Sequence, residues 1–295
     1  MSETFRTGTL AIVGQPNVGK STLLNQLVGQ KISITSNKPQ TTRHRITGIL
    51  TTAACQYIFV DTPGFQTRHA GALNRTLNRS VTRALAEVDV VLCVVEAGRC
   101  GAADRAIFKL LPREHPALLV INKVDRIEDK SQLLPFIAQM AQEYPFAEIL
   151  PVSAMHGSGT ERVLKVAAAY LPEAPAIFGE NEITDCSERF LAAELLREKL
   201  FRNLGEELPY SLTVEIERFE QEGHLRRIHA AIIVDKAAHK AMVIGKSGEK
   251  LKLVSSAARA SMEHLFGGKV YLETWVKVKS GWADDERALK SLGYQ

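Results

Sequence analysis

Thr9-Leu10-Ala11-Ile12-Val13-Gly14-Gln15-Pro16-Asn17-Val18-Gly19-Lys20-Ser21 joins a short apolar run to an octapeptide of the form GxxxxGK[ST]. The run reads as a buried strand and Lys20 to Val28 as a helix, so the octapeptide falls in a strand-to-helix turn. Glycines there let the chain wrap around a polyphosphate with successive backbone N–H groups pointing inward, beside a helix N-terminus. Gly14, Gln15, Pro16, Asn17, Val18, Gly19, Lys20, Ser21 and Thr22 are therefore the expected phosphate-binding residues. Lys20 is expected to reach the β and γ phosphates. The Ser21 hydroxyl is expected to serve Mg²⁺, a hard cation that prefers oxygen.

The pattern continues outward as alternating strands and helices. Arg45 to Thr52 and Gln56 to Asp61 form a hairpin around Ala53-Ala54, followed by helical Asn74 to Leu85 and strand Val88 to Val94. A helix near Asp104 to Leu111, strand Ala117 to Asn122, helical Ser131 to Glu143, strand Ile149 to Val152 and helical Thr160 to Tyr170 complete the series. Near-continuous apolar strands between amphipathic helices imply an α/β domain, a mostly parallel sheet covered on both faces. The proline-bearing, aperiodic stretch that follows reads as a linker. The expected division is residues 1–172, a linker over 173–186, and a second domain over 187–295.

Asp61-Thr62-Pro63-Gly64 ends the third strand, forty residues after Ser21. A carboxylate there is placed to hold magnesium, directly or through water, and the Gly64 N–H to bond the γ phosphate. Between the two motifs lies the polar stretch Lys38-Pro39-Gln40-Thr41-Thr42-Arg43-His44, whose hydroxyls are candidates for closing over the metal. Thr42 is preferred to Thr41. With Lys20 and Gly64 it completes the expected catalytic set.

Asn122-Lys123-Val124-Asp125 matches [NT]KxD at the tip of a later strand. Guanine presents two donors, N1–H and the exocyclic amine, and the Asp125 carboxylate accepts both, whereas adenine lacks that edge. Such a site rejects the wrong base by leaving a charge unpaired. Asn122 is expected to brace the loops and Lys123 to pack along the nucleotide. Ser153-Ala154 would offer a backbone N–H to the guanine O6.

The second half changes period. Helix Ser187 to Leu204, strands Ser211 to Phe219 and Leu225 to Val234, two helices around Gly245 to Phe266 and strand Lys269 to Val278 give a small α+β domain. His224 to Lys279 holds eleven Lys or Arg against four Asp or Glu, although the whole chain carries a formal charge of only +4. Charge leaves a polyanion surface and an ordinary solvated face equally open. Trp275 alternates with Val276 and fits core or interface packing better than base stacking.

At 295 residues with 45% apolar and 24% charged, the composition is that of a globular two-domain chain and excludes disorder. No apolar run approaches a membrane span, and Met1 to Arg6 lacks the apolar core of a secretion signal. Cys55, Cys93, Cys100 and Cys186 have no metal-ligand spacing, and a reduced, cytoplasmic setting is expected.

With Val243-Ile244-Gly245-Lys246-Ser247-Gly248 and the stretch from Trp275 to Arg287, these motifs make the chain resemble the Era family of bacterial GTPases over essentially its whole length. The resemblance implies a P-loop GTPase domain followed by a type II KH domain. It further implies GTP hydrolysis with Mg²⁺, binding near the 3′ end of 16S ribosomal RNA, a role in small (30S) subunit maturation, and peripheral contact with the inner membrane. A monomer is expected. In a KH reading, Gly245 and Gly248 admit the sugar-phosphate backbone of single-stranded RNA, Ile244 and Ser247 flank it, and Lys246, Lys250 and Lys252 supply charge.

Two residues depart from common patterns. Phe65 stands where many GTPases place a water-orienting glutamine, so slow intrinsic hydrolysis is expected. Asn17 resembles the residue with which some relatives recruit K⁺; a loop-bracing hydrogen bond explains it equally. Two other functions stay open at this point: an RNA-binding assembly factor with GTP as a static ligand, and a GTPase acting on tRNA. Against a tRNA-modifying enzyme, no catalytic cysteine follows Cys186; a tandem GTPase needs two phosphate loops, and there is one.

Overall fold

The computed structural model describes residues 4–38, 40–65, 71–205 and 208–294. Pro39 of the polar loop lies outside the described residues. The chain forms two compact units, Met1–Ser33 with Thr42–Ala70 and Asn74–Asp185, and Ile34–Thr41 with Gly71–Leu73 and Cys186–Gln295.

In the first unit, β1 (Arg6–Gly14) leads into α1 (Lys20–Val28), then the hairpin β2 (Ile46–Thr51) and β3 (Cys55–Asp61). There follow α2 (Ala72–Ala86), β4 (Val90–Glu96), α3 (Ala102–Phe108), β5 (Ala117–Asn122), α4 (Leu133–Glu143), β6 (Glu148–Pro151) and α5 (Thr160–Ala168). The strands lie in the order β2-β3-β1-β4-β5-β6. Only β2 runs antiparallel, because a hairpin turn joins it to β3 while every other neighbour is reached by a helical crossover.

Side chains alternate across the sheet. Ala11, Val13, Val91, Cys93, Leu119 and Ile121 pack against Val81 and Leu85 of α2, Ile107 and Phe108 of α3, and Met140 of α4. Leu10 and Ile12, one residue out of step on β1, are also fully buried, and α1 packs with α5. At about 1.5–3 kcal/mol per large apolar side chain, this two-sided burial is what holds the sheet. The parallel strands all end on one edge. Gly14, Asp61, Asn122 and Pro151 therefore bring their loops to a common crevice.

The stretch read as a linker is hydrogen-bonded to this unit. Gln56, fully buried, donates from Nε2 to Phe178 O at 2.8 Å and accepts the Ile177 and Phe178 amides at Oε1. Ile49 N donates to Ile183 O, and Thr184 Oγ1 donates to Thr47 O at 2.6 Å. A backbone that reads as aperiodic thus finds its partners on neighbouring strands.

The second unit comprises α6 (Glu188–Asn203), β7 (Leu212–Glu222), β8 (Leu225–Val234), α7 (Ala237–Ile244), α8 (Glu249–Phe266), β9 (Lys269–Val278) and α9 (Glu286–Ser291). Ser187 caps α6, its Oγ accepting the Phe190 amide. β7 pairs antiparallel with β8, and β8 parallel with β9. Ile228, Ile232, Val270 and Val276 pack with Leu195, Leu196 and Leu200 of α6 and with Val254, Ala258 and Met262 of α8. Trp275 is half-buried, with the Lys277 ammonium 5.8 Å above its ring.

α9 escapes a periodicity reading because six residues give less than two turns. It is held by Asp285, whose side chain accepts the Arg287 and Ala288 amides, and by its buried neighbours. Trp282 Nε1 donates to Ser211 O, and Tyr294 and Thr213 share a hydroxyl hydrogen bond of 2.8 Å. Among the described residues no helix is long and apolar enough to cross a membrane.

Candidate nucleotide and RNA sites

Gly19 is where the first crevice loop becomes α1. Its φ of 101° is left-handed, and a Cβ there would stand 2.2 Å from Asn122 Nδ2. Only glycine fits both constraints. Asn17 is left-handed too, at φ 65°, a conformation asparagine tolerates better than most side chains. Gly64 meets the loop from the other side, where an added Cβ would lie 2.8 Å from Pro16.

Three hydroxyls surround one carboxylate at the mouth of this turn. Asp61 Oδ2 accepts from Ser21 Oγ at 2.6 Å, from Ser33 Oγ at 2.9 Å and from Thr42 Oγ1 at 3.5 Å. Ser21 Oγ and Thr42 Oγ1 are 2.8 Å apart. The Thr41 hydroxyl instead donates to Lys38 O at 2.6 Å. Asp61 Oδ1 is buried without a hydrogen-bond partner among the described residues. Burial raises the Asp61 carboxyl above its ordinary range, with Lys20 and the hydroxyls opposing. A cluster of hard oxygen donors with one carboxylate oxygen unsatisfied fits a magnesium ion.

Lys20, also buried, donates from Nζ to Gly14 O at 3.1 Å and Gln15 O at 2.8 Å. Its burial pushes the ammonium down to about 8, with the Asp61 charge opposing. Thr62 Oγ1 donates to Ile12 O, fixing the loop after β3 on the central strand, and Phe65 N donates to Gly14 O at 3.3 Å. The Phe65 ring packs against the core, so no polar side chain stands at this position.

At the other end of the crevice, Asn122 links two loops, donating to Val18 O at 2.8 Å and accepting the Ala154 amide at 2.9 Å. Ser153 Oγ donates to Asp125 Oδ1 at 2.5 Å, and that hydrogen bond is the main cause holding the Asp125 carboxyl below its usual range. Lys123, left-handed at φ 65°, pairs with Glu96 at 2.5 Å. The Ser153 amide donates to Ser158 O. Both backbone donors that the sequence offers to a guanine O6 thus already have protein partners, and a base would share the Ala154 N–H with Asn122.

Sequence reading missed Ser33, Asn25 and Glu96. Asn25 clamps the chain after α1, its Oδ1 accepting the Ile32 and Ser33 amides while Nδ2 donates to Ser33 O. Its one signal is an amide side chain on a short helix, and nothing in the sequence marks Ser33 or Glu96.

In the second unit, Ile244 ends α7 and Gly245, Lys246, Ser247 and Gly248 turn into α8, with Ser247 left-handed at φ 51°. Beside this turn lies a groove of about 340 Å³ lined by Gly248, Leu251, Lys252, Ser255, Arg259 and Thr274, among others. Lys246 is exposed, and the Lys250 stem lies where a Gly245 side chain would go. The remaining lining was missed. Lys252, Ser255, Ser256 and Arg259 recur on one face of α8, which reads simply as a polar helix face until β9 closes the other wall.

A family model for a 50S ribosome-binding GTPase matches residues 9–123, and one for the KH domain matches 207–283. The chain is 60% identical to GTPase Era of Nitrosomonas eutropha, over 99% of this chain and 98% of that one. The chain belongs to the Era family of GTPases. GTPase Era of Xanthomonas oryzae is 53% identical, covering 100% of this chain and 99% of its own. Among solved structures, an Aquifex aeolicus Era variant bound to GDP·AlF4⁻ superposes with a TM-score of 0.95 at 37% identity, covering 98% of this chain and 99% of that one. An Era complex with MgGDPNP and nucleotides 1506–1542 of 16S ribosomal RNA gives the same score, identity and coverage. Like other Era proteins, the chain is a GTP-hydrolysing P-loop enzyme followed by a KH domain, and its nucleotide binding depends on Mg²⁺.

Proposed function

We propose that this chain is a GTP-driven switch that binds 16S ribosomal RNA near its 3′ end and assists small-subunit maturation. The convergence of Ser21, Thr42 and Asp61, with Asp61 Oδ1 unsatisfied, is the observation that carries the nucleotide half of this reading. Ser21, Thr42 and Asp61 hold Mg²⁺, Asp61 directly or through water. Magnesium, when bound, neutralises charge on the β and γ phosphate oxygens. The Lys20 ammonium leaves the Gly14 and Gln15 carbonyls for the same oxygens, and the Gly64 amide bonds the γ phosphate. Residues Gly14 to Thr22 wrap the phosphates, with Thr62 and Pro63 shaping the opposite wall. Asp125 reads the guanine edge, Lys123 covers the base, and Asn122, Ser153 and Ala154 hold the loops around it.

With Phe65 in place of an amide, water must be oriented by another group, which gives a slow basal rate. Asn17 beside the phosphates supports a K⁺ ion as an extra charge stabiliser; equal turnover in sodium and potassium removes that ion from the scheme.

The RNA half rests on the groove beside Gly245–Gly248, whose size and mixed polar and apolar lining suit splayed bases. Ile244, Gly245, Lys246, Ser247, Gly248, Lys250 and Lys252 are the proposed contacts. The Era complex with nucleotides 1506–1542 of 16S ribosomal RNA supports that RNA as the ligand. Family membership supports a cytoplasmic monomer acting on the 30S subunit, with peripheral contact to the inner membrane.

Gly248→Asp tests the groove. Nothing lies within 4 Å of a Cβ at Gly248, but its φ of 80° is left-handed and strains any side chain placed there, so Gly248→Asn serves as the uncharged control that bears the same backbone strain. Binding of the 1506–1542 RNA should fall at least tenfold in Gly248→Asp relative to Gly248→Asn, with the two variants melting at the same temperature. Unchanged affinity overturns the RNA assignment. Multiple GTP turnovers by the purified chain with that RNA test the switch against a static nucleotide.

A further inference from the structure

α2 is amphipathic in an unusual way. Leu77, Val81 and Leu85 are buried, while Arg75, Arg79 and Arg83 stand exposed along the opposite side at four-residue spacing. Ala72–Ala86 holds no acidic residue. Arg79 makes no ion pair among the described residues. Arg83 and Arg45 share a single carboxylate, Glu87, at 2.9 Å each, so there two guanidiniums divide one negative charge. Four residues advance a helix by about 6 Å and turn it about 40° past a full turn, so the three α2 side chains form a slanted ladder that rises about 12 Å along the axis. Exposed like charges at this spacing repel one another, and the row works against the helix that carries it.

We propose that this ladder binds the phosphodiester backbone of a base-paired RNA segment, a sequence-independent contact on the nucleotide-binding unit additional to the groove beside Gly248. The inference rests on the reading of the chain as RNA-binding. Guanidiniums bond phosphate oxygens in bidentate fashion, and a rigid row of them suits a backbone that is itself regular, as in a duplex. A lipid surface fits worse. A membrane-lying helix inserts its apolar face, and that face of α2 is spent on the protein core. RNA binding would therefore be divided, with the ladder taking a stem and the groove taking a single strand.

The test uses the full chain and a labelled RNA hairpin of arbitrary stem sequence, with and without a single-stranded 3′ tail. Replacing Arg75, Arg79 and Arg83 together by Gln should weaken binding of both hairpins about equally, at least tenfold. The slope of log affinity against log salt should become shallower by about 0.7–0.9 for each phosphate that is no longer neutralised. Arg79→Gln alone disturbs no ion pair and should remove about one such step, with GTP affinity and melting temperature unchanged. An unchanged hairpin affinity and slope in the triple variant overturns the proposal. So does a loss confined to binding of phosphatidylglycerol vesicles. Gly248→Asp separates the two readings, because it should abolish only the gain due to the tail. If that gain survives, the groove assignment fails and the ladder stands.

Discussion

Ser21 Oγ donates to Asp61 Oδ2 at 2.6 Å, while the other oxygen of the same carboxylate, Oδ1, is buried with no partner among the described residues. An unsatisfied buried acceptor costs about 1–3 kcal/mol, more when charged. The site carries that cost at the point where a divalent cation would remove it, so stability and metal affinity are set against each other there.

Asp61→Asn should separate the two. The amide keeps an acceptor for Ser21 and Ser33 and removes a buried carboxyl that its surroundings push towards protonation. The nucleotide-free variant is expected to melt no lower than the parent chain. Its GTP affinity, measured with Mg²⁺ and again with a chelator, should lose at least tenfold of the Mg²⁺-dependent gain, about 1.4 kcal/mol. An undiminished gain would place the metal elsewhere.

Lys20 should make nucleotide binding weaken at alkaline pH. Burial lowers its ammonium from 10.5 to about 8 in the folded chain, so the unfolded chain holds the proton more tightly. The folded state bears this penalty in full below about 8, and it is relieved as pH rises from about 8 to 10.5. Stability from this group therefore increases with pH across that window. Binding runs the other way. Phosphate oxygens favour the charged ammonium, so GTP binding should take up close to one proton at about pH 9 and almost none at about pH 7, and affinity should fall as pH rises through about 8. Calorimetry in two buffers of different protonation enthalpy reads this directly. Equal proton uptake at both pH values would contradict it.

Sequence and structure part company where side chains act across the chain. The loop between Gly14 and Ser21, Asp61 and the Asn122–Asp125 turn are legible because each pairs a strand end with residues of fixed chemistry. β8 is legible as an apolar run, and of its residues Ile228, Ala230 and Ile232 join the core. Ser33 is illegible. Its hydroxyl reaches Asp61 only because Asn25 folds the chain after α1 back upon itself, and no local pattern encodes that. The segment around Phe178 reads as a linker because its order comes from Gln56, more than a hundred residues earlier. The groove beside α8 exists only once β9 lies next to that helix.

Asn122→Ala should cost stability and nucleotide affinity together. The change strands Val18 O and the Ala154 amide, two buried groups that this side chain bridges, at about 1–3 kcal/mol each. It also opens space beside Gly19, where Asn122 Nδ2 now fills the position of a Cβ. Thermal denaturation without nucleotide should register a drop of several degrees, and GTP affinity should fall further than the bond to any one loop explains. A variant that melts normally but binds GTP poorly would mean that Asn122 acts on the nucleotide itself.

Asp125→Asn should change which base is taken. Ser153 Oγ holds the carboxylate by a 2.5 Å hydrogen bond and keeps it ionised, ready to accept both guanine donors. An amide meets the same Ser153 hydroxyl through its oxygen, so the loop should keep its shape and the melting temperature should hold. Its NH₂ group, however, opposes the guanine amine donor to donor, whereas xanthine offers a carbonyl at that carbon. GTP affinity should fall about 10²-fold, near 2.7 kcal/mol, while XTP gains enough to become the preferred ligand. Competition titration of both nucleotides against one fluorescent reporter measures the exchange. GTP binding as tight as in the parent chain would show that the purine is read from another side of the crevice.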